Sequence, residues 1–578
     1  MSCSTLVPNP SRLSFFSALL VGLLVLSLCI SPAHAAGIVY VVPGGAGAQT
    51  GADWANAKDL QDALTAATSG DQIWVKASTY KPTTGTDRSA TFQLKSGVAI
   101  YGGFNGTETL LGQRDSTTNV TILSGDLLGN DSGVVDIDNL TRSDNSYHVV
   151  TANSVDSTAI LNGLTITAGN ASNRGSPWNP DVEGGGMRNN QGNPTIVHVI
   201  FIHNSAIYGG GMVNNNPSSP LLSHVAFVGN TAFAGGGLIN YGGNPVVTQS
   251  IFSGNAATVC GAMVNYVSDP RISQSIFSGN IATDPNGGGA MCNVYLSSDP
   301  IIRNSILWGN IGGQIVGSAG TPDVQYTLVQ GGYISGTNIL DGDPLFVDAD
   351  GTDNITGTLD DNLRLQVGSP AIDAGNNAFI PADAADEDGD GNTAEPAPFD
   401  LDGKPRVVRG VVDMGAYEWQ IITSAAPPSP VTYGSAYNHT FTSAAPATFS
   451  VAAGALPPGL TLTPGGLLSG TLTAAGVYTA TVTVNSTLGL ATQTFSIVVN
   501  KAPLTIKADN KSKIVGAPNP PLTASYSGFV NGDTPASLNG ALTITTTATV
   551  SSPNYTITFV GGTLTVTGHR IYLPLAIR

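Results

Sequence analysis

Between residues 183 and 310 the apolar positions neither alternate strictly nor recur at helical spacing; they return as blocks at a long and nearly constant interval. The blocks are EGGGMRNNQGNPTIVHVIFIHN (183–204), GGGMVNNNPSSPLLSHVAFVGN (209–230), GGGLINYGGNPVVTQSIFSGN (235–255), CGAMVNYVSDPRISQSIFSGN (260–280) and GGAMCNVYLSSDPIIRNSILWGN (288–310). Their closing asparagines, Asn204, Asn230, Asn255, Asn280 and Asn310, are almost evenly spaced, the last interval being slightly longer. A period of about 25 residues, in β-branched and turn-rich sequence, holds three short strands with their turns. It predicts one rung of a right-handed parallel β-helix per block.

Stacking rungs at the ~4.8 Å strand spacing turns equivalent residues into ladders along the axis. Phe201, Phe227, Phe252, Phe277 and Leu307 predict one internal column, and Met187, Met212, Leu238, Met263 and Met291 another. The asparagines predict a polar ladder that satisfies turn backbone groups. Pro194, Pro220, Pro245, Pro270 and Pro300 fall where strands start and a missing N–H is tolerable. Upstream, IVYVVPGG (38–45), DLQDALTAA (59–67) and DQIWVKASTYKP (71–82) read as strand, short amphipathic helix and strand, the helix capping the open end of the stack. Residues 96–126 and 160–170 read as earlier, less regular rungs. Segments 127–147 and 171–182 read as loops protruding from turns.

The repeated GGA or GGG, an apolar residue and then Phe-x-x-Asn resemble the repeats of the polymorphic membrane proteins, a family of bacterial surface β-helices. That resemblance implies the pectin-lyase-like fold and a surface location. Residues 341–420 change character, and DNLRLQ, GSPAIDAGN, FDLDGKPR and DMGAYEW resemble the segment shared by the choice-of-anchor Q proteins. There it implies the end of the β-helix, followed by differing C-terminal modules. LPPGLTLTPGGLLSGTLTAAGVYTATVTV (456–484) resembles bacterial immunoglobulin-like domains, and residues 501–538 with NYTITFVGGTLTVT (554–567) resemble the MBG domain. The expected organisation is therefore signal peptide (1–35), β-helix with capping helix (36–340), acidic end segment (341–420), Ig-like β-sandwich (421–500), shortened MBG-like domain (501–568) and tail (569–578). The fold class is all-β.

Composition narrows the function. Of 578 residues, 71 are Gly and 35 are Pro, only 11% are charged, and the net charge is −17 with 22 Lys and Arg. Nucleic acid is excluded as a partner, because phosphate binding needs clustered cations. Arg12, the apolar run 15–30 and Ala33-His34-Ala35 read as a secretory signal cut after Ala35. No later stretch is long and apolar enough to span a bilayer as a helix. Export permits disulfides, and Cys260 and Cys292 are the mature cysteines. With Met263 and Met291 equivalent, Cys260 faces Gly288 and Cys292 faces Val264, an offset of roughly 13 Å along a strand. That exceeds disulfide reach, so both are read as buried thiols, a disulfide remaining the alternative.

Candidate chemistry is sparse. Asp386, Asp388, Asp390 and Asn392, with Gly391, give the D-x-D-x-D-G-N oxygen spacing of a calcium loop. A full loop would put Glu at the twelfth position, where Ala397 stands; Glu395 lies two residues early. The alternatives are a structural calcium ion and a solvated acidic turn. Asp348, Asp350 and Asp353 read as turn residues. Asp269 and Asp299, with Arg271 and Arg303 nearby, align on adjacent rungs but precede proline, which is turn chemistry before catalysis. His198 and His224 share a register with no carboxylate repeating beside them, which argues against metal or base roles. Tyr241, Tyr266, Tyr295 and Trp308 could stack on sugar rings. No catalytic residue and no cofactor other than calcium is assigned. The expected function is a secreted or surface-attached structural or adhesive protein engaging extracellular glycans or cell-surface components; the alternative is a polysaccharide lyase or glycoside hydrolase working in a groove of the helix.

Overall fold

The computed structural model describes residues 37–539 and 553–567, apart from 134, 174–178, 216, 296–297, 318–319 and 561–563. The signal peptide and the C-terminal tail lie outside the described residues. The chain divides into two compact units, residues 1–419 and 420–578.

In the first unit every repeat closes into one rung, and the pairings among the five repeats are parallel and in register. Phe201 faces Phe227, then Phe252, Phe277 and Leu307. Met187 faces Met212, then Leu238, Met263 and Met291. Both columns are fully buried, and the phenylalanine rings stack with centroids 4.5–4.9 Å apart. Parallel in-register stacking with a connection to the next rung is the right-handed parallel β-helix that the period predicts. The rungs whose turns hold Asn204, Asn230, Asn255 and Asn280 each have four short strands where three were expected. The extra one, such as Ser205–Tyr208 or Thr231–Ala234, follows the asparagine directly and forms its own five-stranded sheet. The prolines stand immediately before strands Thr195–Val197, Leu221–Ser223, Val246–Thr248, Arg271–Ser273 and Ile301–Arg303.

Asparagine does more than hold turns. Asn230, Asn255 and Asn280 each donate from Nδ2 to Oδ1 of the next asparagine, at 2.8–2.9 Å, and to a carbonyl of the rung before. Each Oδ1 also accepts the backbone N–H of the preceding asparagine. A buried amide with all its sites filled is favourable where a half-filled one costs about 1–3 kcal/mol per orphaned group. A second such ladder runs through Asn189, Asn214, Asn240, Asn265 and Asn293 on another face.

The N-terminal end is closed by the helix Leu60–Ala66, which Asp59 caps by accepting the Gln61 N–H. Leu60, Ala63 and Leu64 are buried against Val41, Ile73 and Phe92. Strands Ala99–Phe104 and Thr121–Ser124 pair with Ile160–Asn162 and Thr165–Thr167 as the irregular early rungs. Loop 127–147 is tied inward by Arg142, buried, which pairs with Asp131 at 2.9 Å and donates to the Gly169 and His203 carbonyls.

Cys260 and Cys292 form a disulfide, Cα to Cα 6.0 Å, which corrects the thiol reading. The register itself is as expected, since Cys260 bridges Gly288 and Val264 pairs with Cys292. The error lies in treating Gly288–Cys292 as straight strand. The glycines make a corner there, and a Cβ placed on Gly288 would lie 3.1 Å from the Cys292 sulfur. The same corner sets Gly209 against Val213 and Gly235 against Ile239.

Residues 341–419 add no rung to the stack. After the antiparallel pair Phe346–Asp348 and Asn362–Leu365, the segment runs as a strap along the flank formed by Ile251–Ser253, Ile276–Ser278 and Ile306–Trp308. Leu363, Leu365, Ala371, Met414, Ala416 and Tyr417 bury Ile251, Ile276, Ile306 and Leu328.

The second unit opens with two facing sheets. One is Val431–Thr432, Gly489–Asn500, Gly476–Ser486 and Ala447–Gly454; the other is Ala436–Thr440, Leu467–Thr471 and Leu460–Leu462. Alternating Ala480, Val482 and Val484 point inward with Phe495, Ile497 and Val499, as a sandwich requires. A three-stranded sheet of Ala524–Ser527, Ala502–Ala508 and Tyr555–Val560 follows.

Candidate functional site

The strap is anchored at two rung corners. At one, successive rungs place a residue in the left-handed region: His198, His224, Gln249, Gln274, Asn304 and Tyr326, with φ between 46° and 55°. Only glycine adopts that region without cost, so these side chains are held out from the stack by the backbone itself. His224 Nε2 reaches the Asp400 carbonyl at 3.2 Å, Gln249 donates to the Phe399 carbonyl, and Asn304 exchanges two hydrogen bonds with the Asn376 backbone at 2.9 and 3.0 Å. At the other corner Gly229, Gly254 and Gly279 also have positive φ, and a Cβ on Gly254 would collide with Gly357 Cα. Glycine is required there twice, by conformation and by approach.

The far end of the strap is folded around buried charges. Arg406 is buried and donates to the carbonyls of Ala416 and Gly415 at 3.0 and 2.8 Å. Asp413 accepts the N–H groups of Asp373 and Trp419, Glu418 those of Val408 and Asp413, and Asp400 those of Glu418 and Lys404. Asp413 and Glu418, to which the sequence assigns no role, close the loops of the strap. Burial pushes both carboxyls well above the usual carboxylate range, with the Asp400 charge adding to the rise at Asp413 and the Asp413 charge to that at Glu418.

Where the strap leaves the early rungs, a cleft of about 480 Å³ opens between Ser116, Thr117, Gly163, His198, Ile200 and His224 on the rungs and Asp361, Leu363, Arg364 and Tyr417 on the strap. Asp361 accepts from Ser253 Oγ at 2.5 Å and the Gly357 N–H at 2.8 Å, and burial raises its pKa. Arg364 is committed to Asp402 through two bonds of 2.5 and 2.6 Å and lies 4.7 Å over the Tyr417 ring. His224 Nδ1 lies 2.8 Å from Glu387 Oε1. No carboxylate repeats along the rungs beside these histidines, as expected; the one that His224 meets comes from the strap, far along the chain, where no repeat could show it.

The predicted acidic loop lies beside this contact, Glu387 being flanked by Asp386 and Asp388. Asp388, Asp390 and Glu395 each bring a carboxylate oxygen within 4.8 Å of the others, and so do Asp383, Asp386 and Asp388. Asp386 Oδ1 accepts the Gly391 N–H, Asp388 that of Asp390, and Asp390 that of Asn392. Asn392 lies against the group that holds Glu395, its Nδ2 donating to Glu395 Oε2 at 3.0 Å. Asp353 caps the Ile355 N–H, as a turn residue does. Asp269 and Asp299 continue a ladder with Asn193, Ser219 and Asn244 in which each side chain accepts the N–H of the equivalent residue one rung on. That is turn chemistry, and Arg303 pairs instead with Asp323.

Of the aromatic candidates, Trp308 packs under the strap. Tyr241, Tyr266 and Tyr295 form a file on consecutive rungs, centroids 5.6 and 4.6 Å apart, with Tyr295 62% exposed.

Comparison with known proteins bears on both units. No curated protein sequence matches the chain. Among solved structures, a crystal structure of the pectate lyase Pel9A is similar over 66% of this chain and 96% of its own, at 13% identity and a TM-score of 0.36. A "putative alpha-galactosidase" from Bacteroides fragilis NCTC 9343 is similar over 16% of this chain and 22% of its own, at 19% identity and a TM-score of 0.13. These likenesses carry nothing about activity; the fold stands on the strand register above. The family model described as "Putative Ig domain" matches residues 420–500, and that described as "MBG domain (YGX type)" matches residues 504–565. The C-terminal unit thus carries an Ig-like module followed by an MBG module.

Proposed function

We propose that this protein is an exported bacterial surface scaffold whose β-helix binds extracellular glycans through the file of Tyr241, Tyr266 and Tyr295. The tyrosine file is the observation that carries this reading. Tyr295 is exposed and leads a row of half-buried phenol rings on successive rungs, an apolar surface with hydroxyl groups that suits a pyranose chain with its apolar ring faces and polar rim. The Ig-like and MBG modules support a surface setting, and among the described residues no helix is long and apolar enough to cross a membrane. In the same reading the acidic loop holds a structural calcium ion, since Asp388, Asp390 and Glu395 present the all-oxygen donor set that calcium takes.

A second reading, a polysaccharide lyase or hydrolase, is favoured by one observation: the cleft gathers His198, His224, Asp361 and Arg364 within one walled space. Retention of the purified chain on pectin, alginate and microbial glycans, read together with release of unsaturated or reducing ends, separates the two. Retention without turnover, weakened ~10-fold or more by Tyr266→Ala, is expected. Turnover, or retention indifferent to Tyr266→Ala and Tyr295→Ala, overturns the proposal.

A further inference from the structure

His224 faces two acceptors at once. Its Nε2 lies 3.2 Å from the Asp400 carbonyl, and a carbonyl only accepts, so this nitrogen carries the ring proton. Nδ1 then turns a lone pair toward Glu387 Oε1 at 2.8 Å, with Ser223 Oγ 3.0 Å from Nδ1 and 3.3 Å from Oε1. The two side chains are 1% and 7% exposed. A lone pair and a carboxylate at this distance in a dry site repel unless a cation lies between them.

A proton would serve for two groups, but a third donor converges on the same point. The His198 ring sits one rung away, 4.6 Å from that of His224, and the three residues each bring one ligand atom within 4.8 Å of the others. Among the described residues the His198 ring nitrogens make no hydrogen bond. The corner they share carries Gln249 and Gln274 on the next two rungs; imidazoles occupy it only where Glu387 arrives.

We propose that His198, His224 and Glu387 form a binding site for a divalent transition metal of the zinc class. Two imidazole nitrogens and one carboxylate oxygen are a zinc donor set, where calcium and magnesium take oxygen alone. The contact from His224 Nε2 to a backbone carbonyl is the outer hydrogen bond that fixes the tautomer of a metal-bound histidine. Tetrahedral ligation at ~2.1 Å needs His224 Nδ1 and Glu387 Oε1 to separate to ~3.4 Å, a side-chain adjustment. Both histidines line the cleft, and Ser223 Oγ stands beside the donor atoms, 3.0 Å from His224 Nδ1 and 3.3 Å from Glu387 Oε1. The metal ties the strap to two adjacent rungs. It is distinct from the oxygen-only cluster of Asp388, Asp390 and Glu395, and the two sites separate by ion.

The test is calorimetric titration of the chelator-stripped full chain with zinc chloride, repeated with calcium chloride, alongside the visible spectrum of the cobalt(II)-loaded protein. One equivalent of zinc is expected, not displaced by calcium, weakened at least ~10-fold by His198→Ala and by Glu387→Gln, with loss of the cobalt bands. Asp390→Asn and His203→Ala leave zinc binding unchanged. His198 is exposed and unbonded, so its variant keeps the fold, checked by circular dichroism. No stoichiometric zinc binding by the folded chain, or zinc binding that survives both His198→Ala and Glu387→Gln, overturns the proposal.

Discussion

The interior of the rungs and the strap along their flank are both well packed, but they are specified in opposite ways. Inside, one solution is found once and repeated: Phe on Phe, Met on Met, Asn on Asn, each contact joining residues about one rung apart in sequence. On the flank, no contact repeats. His224 meets Asp400, Gln249 meets Phe399, Asn304 meets Asn376 and Ser253 meets Asp361, each with different chemistry. Repetition gives stability that is nearly a sum of nearest-neighbour terms; a strap has many distant loops to close and gains little from any one contact. The flank is where the molecule departs from the repeat, and both the cleft and the His–His–Glu cluster lie there.

The largest way to break the comparison is inside. Phe252 is fully buried between Phe227 and Phe277, so Phe252→Ala should cost about 3–5 kcal/mol. Denaturant unfolding should show the loss across the first unit, strap included, because the strap has no flank to lie on without the rungs. A strap that kept its stability in this variant would mean that it folds independently.

A smaller effect reaches the strap alone. Asp413 and Glu418 are raised by burial above the ordinary carboxylate value, to about 7 and about 8 for the pair. The folded strap therefore keeps protons that the unfolded chain releases near ~4. Their stabilising contribution is full below that value and is lost as pH climbs through neutrality to above about 8. The melting temperature of the first unit should fall over that range, and Asp413→Asn with Glu418→Gln should flatten the fall. A profile that rises across the same window contradicts the assignment.

How far the sequence can be read follows the same division. The Phe, Met and Asn columns, the strand-starting prolines and the capping helix are legible because each repeats or sits at an end with its own pattern. The second asparagine ladder is equally visible, as the Asn two residues after each Met or Leu, though the first ladder alone was expected. The docking flank leaves a fainter trace. Ile251-Phe252, Ile276-Phe277 and Ile306-Leu307 are apolar on both sides of the strand, which signals that the outer face is covered as well as the inner. The disulfide escapes any reading that measures a glycine corner as straight strand. The pairing of His224 with Glu387 leaves no signal at all, since a contact made once between distant segments has no period. The acidic loop is legible as a cluster of oxygens, but the grouping of Glu395 with Asp388 and Asp390, and of Asp383 with Asp386, is set by how the loop folds on the flank.

The central claim is that residues 341–419 lie against the flank of the rungs, held at both corners. Hydrogen exchange read by mass spectrometry on the intact chain, compared with Gly254→Ala, tests it most directly. The account predicts that strap amides donating to buried carboxylates, such as those of Asp413, Glu418 and Trp419, are protected in the native protein. It also predicts that Gly254→Ala, by forcing a Cβ against Gly357, speeds exchange around residues 353–365 while the asparagine ladder stays protected. Strap amides exchanging at the rate of an unstructured peptide in the native protein would contradict it.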